Sequence, residues 1–319
     1  MQQGWLFEPV RPAFQTRLAE RLTRLASEGI LIGTSSWKYE GWLGQIYTRE
    51  RYLSRGKFSA KLFEERCIEE YAETFPVVCG DFTFYQFPGE AYWERLFRTA
   101  PAGLRFAFKA PEEITARLFP AHARYGSRGG HPNPAFLDAE VFTRLFTDPL
   151  MRYRDRVAAI IFEFGTFSKA SYETTGAFLR DLTSFVRRLP PDFRYAAEIR
   201  NPEFFGAEYL ACLRELGVAH TFNSWTRMPE LPTQIAMPGS RTADFLVCRA
   251  LLQYGRAYED AVRMFQPYAS VQEPYPAARV GLRAIVKAAR ESKTQALVFV
   301  NNRLEGNAPG TIAAVVDED

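Results

Sequence analysis

Histidine and cysteine are scarce in this chain, with three of the one and four of the other in 319 residues. His122, His131 and His220 show no metal-ligand spacing, and His220 falls inside an apolar run, where a packed core histidine is the simpler reading. Cys67, Cys79, Cys212 and Cys248 form no CxxC pair. A chain of this length can build a core without disulfide staples, so four reduced thiols in a reducing, cytoplasmic compartment are expected. No apolar run reaches the ~18 residues of a membrane helix. The polar, proline-punctuated stretch from Met1 to Phe14 lacks the apolar segment of a signal peptide. No membrane partner is expected. Charge of one sign is lacking too: 40 Lys and Arg against 37 Asp and Glu leave +3, too little by itself to argue for nucleic acid. Neither a GxGxxG after the first strand nor a Walker loop is present, which weighs against dinucleotide and P-loop folds.

What is present is a repeating alternation of apolar runs and amphipathic stretches. Residues 11–28 place Phe14, Leu18, Leu22 and Leu25 at helical spacing. The run ILIGTS (30–35) then reads as a buried strand opening into a polar loop. Further strands are expected at 77–84, 104–110, 157–164, 193–200, 217–223, 244–251 and 295–301. Helices are expected at 59–75, with Ser59 as N-cap, and at 90–99, 136–150, 171–188, 203–216 and 276–292. Strands separated by helices imply a parallel sheet with right-handed crossovers. Eight of them predict an α/β fold of the closed (β/α)8 TIM-barrel type, one domain over 1–319 with the barrel proper at about 30–310 and an extra N-terminal helix. The segment 112–135, rich in Gly, Pro, Arg and His, is the one long irregular stretch, of the kind that is functional or mobile. The 27 phenylalanines are expected mainly in packed cores.

Several blocks also carry a family resemblance. GTSSWKYEGWLGQIY (33–47), DFTFYQFP (81–88), RFAFKAPEEIT (105–115), AEIRNPEFF (197–205) and FVNNRLEGNAP (299–309) resemble the domain-of-unknown-function 72 family, the YecE-like proteins. The resemblance implies a TIM barrel and carries no established reaction. It also marks departures. The family's usual acid and Ser in the second-strand block are replaced here around Cys79 and Phe82, and Asp81 stands where Asn is usual. Glu163 occupies the usual Gln position, and Leu251-Leu252 replace a His-Gly pair. If those positions carry catalysis in the family, the activity of this member is altered or lost.

Active sites of such barrels sit at the C-terminal ends of the strands. The polar residues expected there are Ser35, Ser36, Trp37 and Tyr39 after strand one, Asp81, Thr83 and Tyr85 after strand two, and Lys109 on strand three. Glu163 follows on strand four, Glu198 and Arg200 on five, Asn223 and Trp225 on six, Arg249 on seven, and Asn301 and Asn302 on eight. Lys109, Arg200 and Arg249 would make a positive cluster suited to a carboxylate or phosphate, with Arg117, Arg124, Arg128 and His131 of the 112–135 loop in reach. Glu163 and Glu198, on adjacent strands, could divide acid and base roles. Lys109 could form a Schiff base. The catalytic candidates are therefore Glu198, Glu163, Lys109 and Asp81. The substrate-binding candidates are Arg200, Arg249, Trp37, Tyr39, Thr83, Tyr85, Asn223, Trp225, Asn301 and Asn302. No cofactor is expected, with a carboxylate-only Mg2+ site from Asp81, Glu163 and Glu198 left open.

Three functions compete. The first is a hydrolase- or lyase-type enzyme on a small phosphorylated or carboxylated substrate. The second is a nucleic-acid-binding or nucleic-acid-processing protein, and the third a non-catalytic binding protein. The structural alternative to all of these is an internal salt-bridge network that plugs the barrel. The sequence does not give the oligomeric state.

Overall fold

The structure, a computed structural model, describes residues 11–317 apart from His122 and Ala170. The start of the N-terminal segment, Met1 to Val10, therefore lies outside the described residues, as does His122. Eight parallel strands close into a barrel. They are β1 (Ile30–Thr34), β2 (Val77–Gly80), β3 (Arg105–Lys109), β4 (Val157–Phe164), β5 (Tyr195–Ile199), β6 (Ala219–Ser224), β7 (Phe245–Ala250) and β8 (Gln295–Val300). An N-terminal helix, α1 (Ala13–Ser27), precedes β1 and buries Leu18, Leu22 and Leu25, as its spacing predicts.

The surrounding helices are α2 (Ala60–Tyr71), α3 (Glu90–Thr99), α4 (Glu112–Thr115), α5 (Ala139–Phe142), α6 (Thr175–Val186), α7 (Ala207–Leu216), α8 (Leu231–Ala236), α9 (Tyr258–Phe265), α10 (Pro276–Ser292) and α11 (Ala308–Val316). Their starts follow local chemistry. Ser59 caps α2 by accepting from Leu62 N at 3.2 Å, and Thr174 caps α6 by accepting from Ala177 N at 3.2 Å. Gly217 ends α7 at φ 66°, a left-handed position that suits glycine.

The strands differ from expectation in one place that matters for the site. Residues 81–84 do not continue β2; Asp81–Phe84 form a 3-10 turn. The Thr83 hydroxyl holds this turn, lying within bonding distance of the carbonyls of Gly80 (3.0 Å) and Lys109 (2.6 Å). The helix expected at 136–150 is interrupted by a π-helical turn at Thr143–Thr147. Helices α4, α8, α9 and α11 lie outside the expected helical stretches.

Closure depends on the β1–β2 seam. β1 pairs with β8 along five residues, but with β2 only through Thr34 and Val78. Tyr71 of α2 fills the gap left in that ladder: its hydroxyl accepts from Thr34 N at 3.1 Å and donates to Val77 O at 3.0 Å. Gly33 permits the close approach, because a Cβ there would stand 1.8 Å from Val77 O.

Side chains alternate between two cores. The outward faces pack on the helices, where Trp93, Phe97, Phe106, Phe108, Phe142 and Phe162 lie together. His220 is outward too, with Nδ1 3.4 Å from the Tyr209 hydroxyl and its ring stacked on Phe205 at 5.1 Å. The inward faces hold Val77, Cys79, Ala107, Ile161, Val247 and Phe299 in a second, closed cluster. Two residues further along β3, β4, β5 and β7, the same face carries Lys109, Glu163, Glu198 and Arg249. The four cysteines are unpaired thiols, and Cys67, Cys79 and Cys248 are buried.

Candidate functional site: an ion-paired floor at the barrel mouth

The inward alternation brings six charged side chains together at the C-terminal end of the barrel. Arg249 is fully buried at the centre. Its Nη1 donates to Glu163 Oε2 at 2.6 Å and to Glu198 Oε2 at 2.5 Å, and its Nη2 donates to Asp81 Oδ1 at 3.2 Å. Glu163 Oε2 is the hub, because Lys109 Nζ lies 2.8 Å and Arg200 Nη2 2.9 Å from that same oxygen. Arg200 also reaches Glu198 Oε1 from Nε and Nη2, each at 3.3 Å. Asp81 Oδ1 completes the set, 3.8 Å from Lys109 Nζ.

Three acids thus face three bases. The cluster expected to be positive is balanced, and the salt-bridge network weighed against it is what these side chains form. Burial by itself would raise the Glu163 carboxyl. Arg200, Lys109 and Arg249 outweigh burial and hold it well below the ordinary carboxylate range. Burial opposes the charge on Arg249, but Glu198, Glu163 and Asp81 keep it firmly protonated. Glu163 is therefore an ionised anchor and not a proton donor near neutrality. Lys109 Nζ is engaged by Glu163 at 2.8 Å and by Asp81 at 3.8 Å and lies 3.7 Å from the centroid of the Phe84 ring, so its contacts are those of an ion-pair member. Among the described residues no group of three or more His, Cys, Asp or Glu is arranged to hold a metal ion.

Access to the six is unequal. Asp81 and Arg200 keep 28% and 14% of their side-chain surface open, whereas Lys109, Glu163, Glu198 and Arg249 lie below a tenth. Arg200 stacks on the half-buried Trp225 at 3.6 Å, and its Nη1 has no hydrogen-bond partner among the described residues. A cleft of about 350 Å³ opens beside the network, walled by Phe84, Thr115, Phe119, Phe167 and Ser168, with Glu163 on its floor. Larger hollows lie elsewhere, in the grooves between α6 and α7 (about 760 Å³) and between α2 and α3 (about 590 Å³).

The remaining expected residues divide by what they touch. Trp37 is buried edge-on to Phe82, and Tyr39 packs between Trp42 and Tyr268. Burial, more than Asp81, pushes the Tyr39 phenol up to about 12, with Arg303 opposing. Thr83 holds the turn that carries Asp81. Asn223 donates to Ile199 O at 3.1 Å, while its Oδ1 is buried without a partner. Asn301 Oδ1 accepts from Arg303 N at 3.0 Å and Asn302 Oδ1 from Ala308 N at 2.7 Å, so both asparagines shape the loop after β8. Tyr85 stands out at the rim with 58% of its surface exposed.

Apart from His122, the 112–135 segment consists of α4, a 3-10 stretch at Ala123–Arg128 and the loops around them, tied together by side chains. Glu112 holds Arg124 and Tyr125, and Asn133 Nδ2 donates to Glu113 O and Ala116 O. Arg117 pairs with Asp181 at 3.0 Å, and Arg128 lies over Phe119 at 4.7 Å. Sequence reasoning missed Phe84, Tyr258 and Arg303, whose guanidinium lies 4.5 Å over the Tyr258 ring. Arg303 lies one residue past the asparagines in the same post-strand loop, and that position was the available signal.

The sequence profile described as "Protein of unknown function DUF72" matches residues 31–318. The chain belongs to the DUF72 family. A DUF72 protein of Thermotoga maritima has a similar fold, with a TM-score of 0.59 at 18% identity over 91% of this chain and 98% of its own. A DUF72 protein of Enterococcus faecalis matches with a TM-score of 0.58 at 15% identity, over 90% and 95%. No curated protein matches the chain. At these identities the likeness concerns the barrel, so the site of this DUF72 member rests on its own side chains. Among its described residues no helix is long and apolar enough to cross a membrane.

Proposed function

We propose that the mouth of this barrel binds a small phosphorylated or carboxylated substrate and acts on it as a hydrolase or lyase. Arg200 is the anion anchor and Asp81 the proton acceptor. One observation carries the reading: of six charges in one network, these two reach solvent, and Arg200 Nη1 remains without a partner among the described residues. A guanidinium stacked on Trp225 and held from behind by Glu163 and Glu198 is fixed in place, so an oxyanion meets an oriented donor at small entropic cost. Asp81 is held more loosely than Glu163, at 3.2 and 3.8 Å from its cations, and has the solvent access a general base requires. The roles first assigned to Glu163, Glu198 and Lys109 become electrostatic support beneath that pair.

A thermal-shift screen with phosphate, sulfate, sugar phosphates and dicarboxylates tests the reading. A ligand at about 100 times its dissociation constant adds roughly 2.7 kcal/mol, a shift of several degrees. Arg200→Ala should fold, because Glu163 keeps Lys109 and Arg249 and Glu198 keeps Arg249, and it should lose the shift. A shift that survives in this variant sinks the assignment. A steep salt dependence with oligonucleotides would instead favour a nucleic-acid ligand.

A further inference from the structure

The aromatic side chains of the rim supply the next step, which rests on the anionic reading above. Six large apolar or aromatic side chains are prominently exposed among the described residues: Tyr85, Leu145, Tyr254, Tyr258, Met264 and Val280. The three tyrosines all sit where a strand's C-terminal end passes into its following segment. Tyr85 ends the turn after β2, Tyr254 lies in the loop after β7, and Tyr258 opens α9. The other three lie within helical segments away from the strand ends. Packing does not account for phenols left 58% and 42% exposed at Tyr85 and Tyr258.

Each of these two rings has an arginine on it, Arg124 at 4.9 Å from the Tyr85 centroid and Arg303 at 4.5 Å from that of Tyr258. Arg303 has no carboxylate partner among the described residues, and its Nε is buried without a hydrogen bond. The two rings share a neighbourhood with the charge network. The Tyr85 phenol is raised first by partial burial, then lowered by Lys109 and raised by Asp81, Tyr258 and Glu163. Further cations lie on rings at the strand ends: Lys109 on Phe84, Arg200 on Trp225, Arg303 on Tyr258. A sugar phosphate or a dicarboxylate uses only the cations of such a rim. A ligand that joins an anion to a flat ring uses both, because stacking on an aromatic face tolerates any planar π-system.

We propose that the anion held by Arg200 is carried on a planar heteroaromatic ring, as in a nucleoside monophosphate, with Tyr85 and Tyr258 as the platforms for that ring. The same chemistry could arrive as a free nucleotide or as the end of a single strand. Calorimetric titration of the full chain with adenosine monophosphate, ribose 5-phosphate and adenosine separates the contributions. The phosphate-bearing nucleotide should bind about 100-fold more tightly than ribose 5-phosphate, about tenfold for each of two stacking contacts. Tyr85→Ala, a change at an exposed ring, should weaken nucleotide binding about tenfold and leave ribose 5-phosphate binding unchanged. Tyr258→Ala repeats the test at the second platform.

Equal affinities for the two phosphates, unaltered by either variant, overturn the ring and leave the anion site standing. No binding of either phosphate overturns both. A short oligothymidylate in the same titration identifies the source. Tighter binding than the mononucleotide, falling steeply with salt and reduced by Tyr85→Ala, points to a strand, and its absence beside nucleotide binding points to the free nucleotide.

Discussion

Replacing Arg249 by Met is the sharpest perturbation the network offers. The methionine fills much of the same volume and removes the charge. Glu198, with none of its surface exposed, then loses its 2.5 Å donor and keeps only the two 3.3 Å contacts to Arg200, and Asp81 loses its 3.2 Å donor. Glu163 retains Lys109 and Arg200. Breaking one member of a buried ion cluster leaves an uncompensated charge in a medium that solvates it poorly, at a cost of about 3–5 kcal/mol. Urea unfolding of Arg249→Met should show that loss as a lower midpoint with an unchanged slope.

Two controls separate this cause from lost packing. The double variant Arg249→Met with Glu198→Gln removes the stranded charge, so it should recover a good part of the loss. Lowering the pH should also shrink the loss in the single variant, since a buried carboxylate without its partner takes up a proton. A loss below about 1 kcal/mol, or a double variant no more stable than the single, would refute a closed network and mean that water solvates these groups.

Other consequences follow from single contacts. Tyr71→Phe removes the hydroxyl that joins Thr34 N to Val77 O across the β1–β2 seam, and should cost about 1–3 kcal/mol in chemical unfolding. Burial lowers the folded His220 to about 4, below the unfolded value of about 6.5. Its contribution is complete above pH 6.5 and drains away by roughly 3 kcal/mol as the pH falls to about 4. His220→Gln should flatten that part of the stability profile. Glu163, held low in the folded state, stabilises above the ordinary carboxylate value near 4.5 and loses that contribution on further acidification. Glu163→Gln should therefore be less stable at neutral pH yet shallower below 4.5.

The barrel was legible because its signals are local. Runs such as VAAIIFEF and QALVFVN are too apolar for a surface, and Ser59 and Gly29 punctuate the helices around them. What escaped the sequence was set by tertiary contacts. DFTF reads as the end of a strand by its alternation, yet it folds into a 3-10 turn because Thr83 finds the Lys109 carbonyl on the neighbouring strand. Helix α8 has six residues, too few for a period, and α11 is buried on most of its sides, so neither shows an amphipathic pattern. The same division holds at the site. Strand-end reasoning brought Asp81, Lys109, Glu163, Glu198, Arg200 and Arg249 to one mouth. It could not decide whether the cations would face each other or the acids, because that depends on how long side chains meet across the barrel. Arg303 and Tyr258 escaped because one lies in the loop after β8 and the other at the start of α9, where no strand register places a side chain.

Arg200 and Asp81 are the open edge of a closed charge network. Their role as an anion site is tested most directly by calorimetric titration of phosphate into the wild type, Arg200→Ala and Asp81→Asn. Binding should be lost in Arg200→Ala and strengthened several-fold in Asp81→Asn, where a carboxylate that repels the incoming anion is gone. Equal phosphate binding by all three proteins, or binding by none, would contradict that role.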